Sequence, residues 1–415
     1  MKQAFLITMI FAISILFPLA PSSAAESQVK AAFIRGGNLW VLIDGQETQV
    51  TDSGKVFAKP EWSKDGTMLV YQEEAPSQFD KEEETQSEIW IYHINTKEKK
   101  KVFYNGFSPE WAPHKDVIAY KDHVILDISN FKRFYNIATG VSDFEWLPDG
   151  SGFLLSTAGT LRPDGWSSAS LFTKKVGDNY EDIVLFGGVE PFFTLPREIG
   201  TTEQNKLIAV YADQLTYSPS GKWISFVVSP TASWSMDSNM VCVIDNTGNN
   251  FEVLDEMILH VGQPKWAPSS DTLAYIAGGG RIVFGFKNKD LKVKEMPVSG
   301  TLTPENYADL DFNWITDNEL VTSRIKEQEW TNDFSQHPLP VLYSINIETN
   351  NQTQITTPPK GFGDYAPQYV PSMNKLVWLR GTSITDTGRN LWKANTDGTE
   401  ATEWIRDVDA IVFYN

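Results

Sequence analysis

An all-β propeller built from four-stranded antiparallel blades is the fold this sequence predicts, on three observations. A phrase that ends one strand in Trp or Tyr, turns on Pro, Asp, Gly, Ser or Asn and resumes as an apolar strand recurs seven times. Four of the six intervals between copies are 48 to 55 residues, the period of a repeated supersecondary unit. Helical periodicity is nearly absent, whereas short alternating strands bounded by turn residues run the length of the chain.

The phrase reads PEWSKDGTMLVYQ at Trp62, PEWAPHKDVIAYK at Trp111, DFEWLPDGSGFLLST at Trp146, QLTYSPSGKWISFVV at Tyr217 and QPKWAPSSDTLAYIA at Trp266, with weaker copies at Trp314 and Tyr369. After each second strand comes an alternating third, such as SEIWIYHI, SNMVCVID, PVLYSINI or RNLWKANT. A turn rich in Asn, Asp and Gly leads to a fourth, such as KKVFY, FEVLD, TQITT or ATEWI. Four strands per unit describe a propeller blade. The recurring Trp is expected to pack between neighbouring blades. Gly66, Gly150 and Gly221 serve the turn backbone.

Residues 26 to 60 supply second, third and fourth strands but no first, and VDAIVFY at 408–414 is one strand left over. Together they make a composite blade in which the C-terminal strand joins three N-terminal strands, removing the free edges. Seven phrases plus this blade predict eight; seven is the alternative, because the 35-residue unit at Trp111 is tight.

The turns W-S-K-D-G, W-L-P-D-G and Y-S-P-S-G resemble the W-S-P-D-G signature of TolB-type propeller repeats, which are similar to those in the propeller of the prolyl oligopeptidase family. The resemblance covers nearly all of the chain after its N-terminal segment. It implies blades and carries no biochemical role. PHKD after Trp111 and TDN after Trp314 depart from it.

Lys2, the apolar run AFLITMIFAISILFPLA and the small residues Ser23 and Ala25 read as a signal peptide over residues 1–25, leaving a single propeller domain over 26–415. No cysteine follows the run, so lipid attachment there is excluded. Cys242 is the only cysteine, which excludes an internal disulfide. With 53 acidic and 35 basic side chains the net charge is −18, which disfavours nucleic acid and anionic membrane surfaces as partners. A secreted, periplasmic or cell-envelope location follows from the signal peptide.

Loops after first and third strands share one face of the disc, and those after second and fourth strands share the other. The long irregular segments 73–87, 158–168, 229–238, 325–340 and 381–389 follow second strands, and 187–207 is assigned to the connection after a fourth strand. One face is therefore expected to carry nearly all the insertions, and loops on a rigid scaffold are where binding concentrates. Trp166, Trp234 and Trp330 there, with Phe192 and Phe193, either pin their own loops or offer aromatic surface to a sugar or peptide. Arg162, Arg197, Arg324 and Arg389 are candidates to hold carboxylates. The acidic segment 73–87 is expected to be a solvated loop.

There is no G-x-S-x-G, and the propeller leaves no room within 415 residues for a hydrolase domain. The five histidines form no metal-spaced pair, and His337 reads as a lone surface histidine. No calcium loop, phosphate loop, metal site or cofactor is expected. The chain therefore reads as a non-catalytic binding module for a protein, peptide or cell-envelope glycan. The alternative is a carbohydrate-active or peptide-cleaving propeller enzyme with carboxylates such as Asp213, Asp309 and Asp311 at the channel mouth.

Overall fold

The computed structural model describes residues 29–78, 84–177, 179–231, 238–258, 261–280, 286–296 and 298–414. Eight four-stranded antiparallel sheets hold all but four of the strands among them. Blade 1 comprises Glu61–Trp62, Met68–Pro76, Thr85–His93 and Lys99–Phe103, and each later phrase opens the next blade in turn. The tight unit at Trp111 is a complete blade of Phe107–Trp111, Ile118–Asp122, Ile125–Ser129 and Phe134–Thr139. That settles the count at eight.

The eighth blade is composite as expected. Ala410–Phe413 pairs with Lys30–Arg35, which continues into Asn38–Ile43 and Gln46–Gln49. Three contacts latch the ring. Trp62 donates its indole N–H to the Val412 carbonyl at 3.5 Å, its ring meets Tyr414 at 5.7 Å, and Tyr414 donates its hydroxyl to the Lys64 carbonyl at 3.0 Å. Gly66, at φ +66°, lies against the Tyr414 ring, where an added Cβ would come within 2.6 Å.

The core is not one central mass. Apolar residues of alternate strand positions face the neighbouring sheet, so the buried clusters sit between blades. The first strands of successive blades approach one another around the axis. Several are bulged on that inner edge, and Ser108, Gln214 and Ala366 adopt left-handed backbone at the bulges.

The face assignment holds for the described residues of the five segments that follow second strands, with two corrections. The fourth strand of blade 3 is Val189–Thr194, so Phe192 and Phe193 belong to a strand and not to a loop. The connection after it carries a small hairpin, Glu198–Ile199 with Leu207–Ile208. Gly187 and Gly188, at the start of the segment assigned to that connection, instead join strands three and four on the opposite face. Of the segment 73–87, the described residues 73–76 and 85–87 are ladder: Met68–Pro76 and Thr85–His93 pair as far as Pro76 and Thr85, and Lys55 donates to Glu74 at 3.2 Å. Within that hairpin Gln72 donates its side-chain N–H to Ser87 Oγ and to the Gly106 carbonyl, each at 2.9 Å.

Candidate functional site: a loop-face cleft and an acidic channel cavity

Between second and third strands of blade 3 the chain folds back as a hairpin, Leu161–Arg162 paired with Gly165–Trp166. Pro163-Asp164-Gly165 turns it, with Gly165 at φ +108°. Arg197, from the connection after the fourth strand, lies on that turn and donates Nη2–H to the Asp164 carbonyl at 2.8 Å. A Cβ at position 165 would sit 2.5 Å from the same nitrogen, so glycine is what lets the guanidinium approach. Arg162, Trp166 and Arg197 line one cleft of about 510 Å³, whose remaining wall is largely hydroxyl-bearing: Thr157, Thr160, Ser168 and Thr194. Arg162 is exposed and Trp166 half-buried. Three sequence candidates from two segments thus converge on one concavity.

The other candidates do not join them. Trp234 lies outside the described residues. Trp330 packs into an aromatic cluster with Phe286 at 5.6 Å, His337 at 4.3 Å and Phe334 at 6.2 Å, and its indole donates to Asn332 at 3.3 Å. It pins its own loop. His337 is not a surface histidine: it is 7% exposed within that cluster, and its Nε2–H donates to the Thr331 carbonyl at 2.6 Å. Phe192 and Phe193 pack against the core between blades 3 and 4, Phe193 meeting Phe251 at 5.0 Å. Arg389 bonds the Ile384 carbonyl at 2.6 Å and covers the Tyr365 ring at 4.6 Å, which ties down its own loop.

Arg324 is 2% exposed and committed to the interior. Its Nε and Nη2 clasp both oxygens of Asp309 at 2.8 and 2.9 Å. The register that sets Asp309 opposite Arg324 returns in blade 7, where Asp364 opposes Arg380 at 2.7 and 3.0 Å and also accepts the Trp378 indole N–H at 2.8 Å. Asp309 is therefore structural. Asp311 lies 3.3 Å from Lys265.

Asp213, the third aspartate considered, does reach a site. A cavity of about 600 Å³ opens between the first strands of blades 2, 3 and 4, lined by Glu110, Lys121, Asp143, Glu145, Asp213 and Gln214 among others. Burial drives the proton affinities up: Asp213 to about 6 and Glu145 to about 8, with like charge adding to the rise. Glu110 is raised well above the usual carboxylate range, by burial first and then by Glu145, Glu61 and Asp143. Glu61 is pushed up to about 7, again mainly by burial, against the backbone N–H of Trp111 that favours its charged form. Glu110 and Glu145 so placed retain protons near neutrality, and such groups can donate or accept a proton. Among the described residues no group of three or more His, Cys, Asp and Glu could hold a metal ion.

The channel cavity had a signal in the sequence. Glu stands immediately before the aromatic in PEW, PEW and FEW, at positions 61, 110 and 145. The Trp of the phrase is architectural, whereas the Glu beside it in blades 2 and 3 lines the channel cavity. An alternating strand puts neighbours on opposite sides, so the residue next to a packed Trp points elsewhere.

No family model matches the sequence, and no curated protein matches it. Solved structures do match by shape. A eukaryotic initiation factor superposes with a TM-score of 0.57 at 11% identity, over 95% of this chain and 92% of that one. A puromycin-hydrolyzing peptidase of Mycobacterium tuberculosis superposes with a TM-score of 0.50 at 11% identity, over 85% of this chain. The chain spans 53% of the length of that peptidase. TolB of Acinetobacter baumannii matches at 15% identity with a TM-score of 0.38, over 64% of this chain and 60% of that one. Identities this low concern the fold alone. Among the described residues no helix is long and apolar enough to cross a membrane. By fold, the chain is a β-propeller closed into eight four-stranded blades.

Proposed function

We propose that this chain is an exported, non-catalytic binding module that takes a protein, peptide or cell-envelope glycan on its loop-bearing face. The observation that carries this reading is the cleft in which Arg162, Trp166 and Arg197 converge from two separate segments. The disc beneath it is held by eight closed sheets, so the cleft sits on a stiff support. Export rests on the apolar N-terminal run and its small-residue end. The test is retention of the purified chain on isolated cell-envelope material. Replacing Arg162, Trp166 and Arg197 together with Ala should abolish retention and leave the melting profile close to unchanged; undiminished retention by the triple variant would refute the reading.

The raised carboxyls of the channel cavity favour a second reading, cleavage of a saccharide or peptide by acid–base chemistry. Turnover in a broad polysaccharide and peptide screen, lost in Asp213→Asn or Glu145→Gln, would establish it. Absence of turnover in that screen would dismiss it.

A further inference from the structure

Resting on the binding reading, we propose that the Arg162–Trp166–Arg197 cleft takes a carboxylate-bearing pyranose, an acidic sugar unit of a glycan. Four features of the cleft point to that class. Trp166 is half-buried, and no hydrogen bond engages its indole N–H among the described residues. It offers an apolar ring edge with a donor, which suits the C–H face and ring hydroxyls of a pyranose. Arg162 has no partner among the described residues, and Arg197 spends one nitrogen on the Asp164 carbonyl, leaving the rest of its fork for an anion. Gly165 and that hydrogen bond hold Arg197 in place before any ligand arrives.

The fourth feature separates a sugar from an acidic peptide. The wall supplies Thr157, Thr160, Ser168 and Thr194 hydroxyls but no second large apolar side chain to anchor a peptide residue. The Asp164 side chain beside the arginines would repel a run of carboxylates, yet it accepts hydrogen bonds from sugar hydroxyls. One carboxylate surrounded by hydroxyls is the group this lining complements. It is also a local cationic site on a chain of net charge −18, so its attraction is short-ranged and confined to the cleft.

Isothermal titration of the purified chain tests the assignment with four saccharide probes. Trigalacturonate and an N-acetylmuramic-acid disaccharide are each titrated beside their carboxyl-reduced counterparts, and a tetraglutamate peptide serves as the peptide arm. The expected result is heat from at least one acidic saccharide, about tenfold or more weaker binding of its reduced form, and a similar loss in Arg162→Ala and in Trp166→Ala. Equal binding of acidic and reduced sugars overturns the carboxylate class while leaving a glycan-binding module standing. Binding of tetraglutamate in place of the sugars overturns the sugar class and leaves the module standing. Acidic-sugar binding unchanged by both substitutions overturns the site. Silence from every probe overturns the inference, whereas the binding reading is judged by retention on envelope material.

Discussion

The indole N–H of Trp111 donates to the backbone carbonyl of Glu61, 3.2 Å away in the preceding blade. The same bond joins Trp266 to Thr216 at 3.2 Å and Trp314 to Lys265 at 3.1 Å. These Trp therefore sew their own first strands to the ones before, as Trp62 does at the closure, whereas the indole N–H of Trp146 has no hydrogen-bond partner among the described residues. Trp111→Phe keeps a smaller aromatic ring and leaves the Glu61 carbonyl without its indole donor, the lost bond costing on the order of 1 kcal/mol. Trp111→Ala also opens a cavity between blades and should cost about 3–5 kcal/mol. Urea denaturation reads both; equal losses would mean the hydrogen bond contributes everything and the packing nothing.

Arg324 and Asp309 make the sharpest stability prediction. Arg324→Met strands a buried carboxylate and should cost about 3–5 kcal/mol. Adding Asp309→Asn removes the charge, so the double variant should recover much of that loss. A double variant as unstable as the single one would show that the arginine acts through packing alone.

Stability should fall as pH rises from about 5 to 8.5. The folded state holds protons on Asp213, Glu61 and Glu145 up to about 6, 7 and 8, above the ordinary carboxylate range. Their protonated forms favour folding fully below the ordinary carboxylate values, and that contribution is lost as pH climbs through 6 to 8. Chemical denaturation at stepped pH measures the slope, and Glu145→Gln should flatten its upper part. A flat or rising profile across this window would contradict the burial of these groups.

Ring closure depends on the contact between Gly66 and Tyr414. Gly66→Ala places a methyl group within 2.6 Å of the phenol ring at a φ of +66°, and truncation after residue 407 removes the strand altogether. Both should raise proteolysis of residues 29–60 and binding of a hydrophobic dye, truncation far more strongly. Unchanged proteolysis in the truncated chain would mean that the composite blade is held by other contacts.

Trp166 and Trp330 looked equivalent as loop tryptophans and should now behave differently. Trp330→Ala empties an aromatic cluster around Phe286 and His337 and should destabilise by about 3 kcal/mol or more. Trp166→Ala, on a half-buried hairpin, should cost well under half as much. Thermal melts of the two variants compare them directly.

The blades, their number, the composite closure and the side on which most insertions emerge were all legible before any coordinate. Strand period, turn chemistry and antiparallel order are local rules, and local rules repeat along a chain. Tertiary structure alone decided which candidates meet. Arg162, Trp166 and Arg197 converge because a glycine turn admits a guanidinium carried by a segment more than thirty residues on. Arg324 was lost to the interior because strand register set it opposite Asp309. Glu61, Glu110 and Glu145 stand 35 and 49 residues apart in sequence, and only the closing of the ring turns three surface-looking carboxylates into neighbours. Periodicity specifies each blade, but proximity across blades depends on register and curvature, which no single repeat encodes.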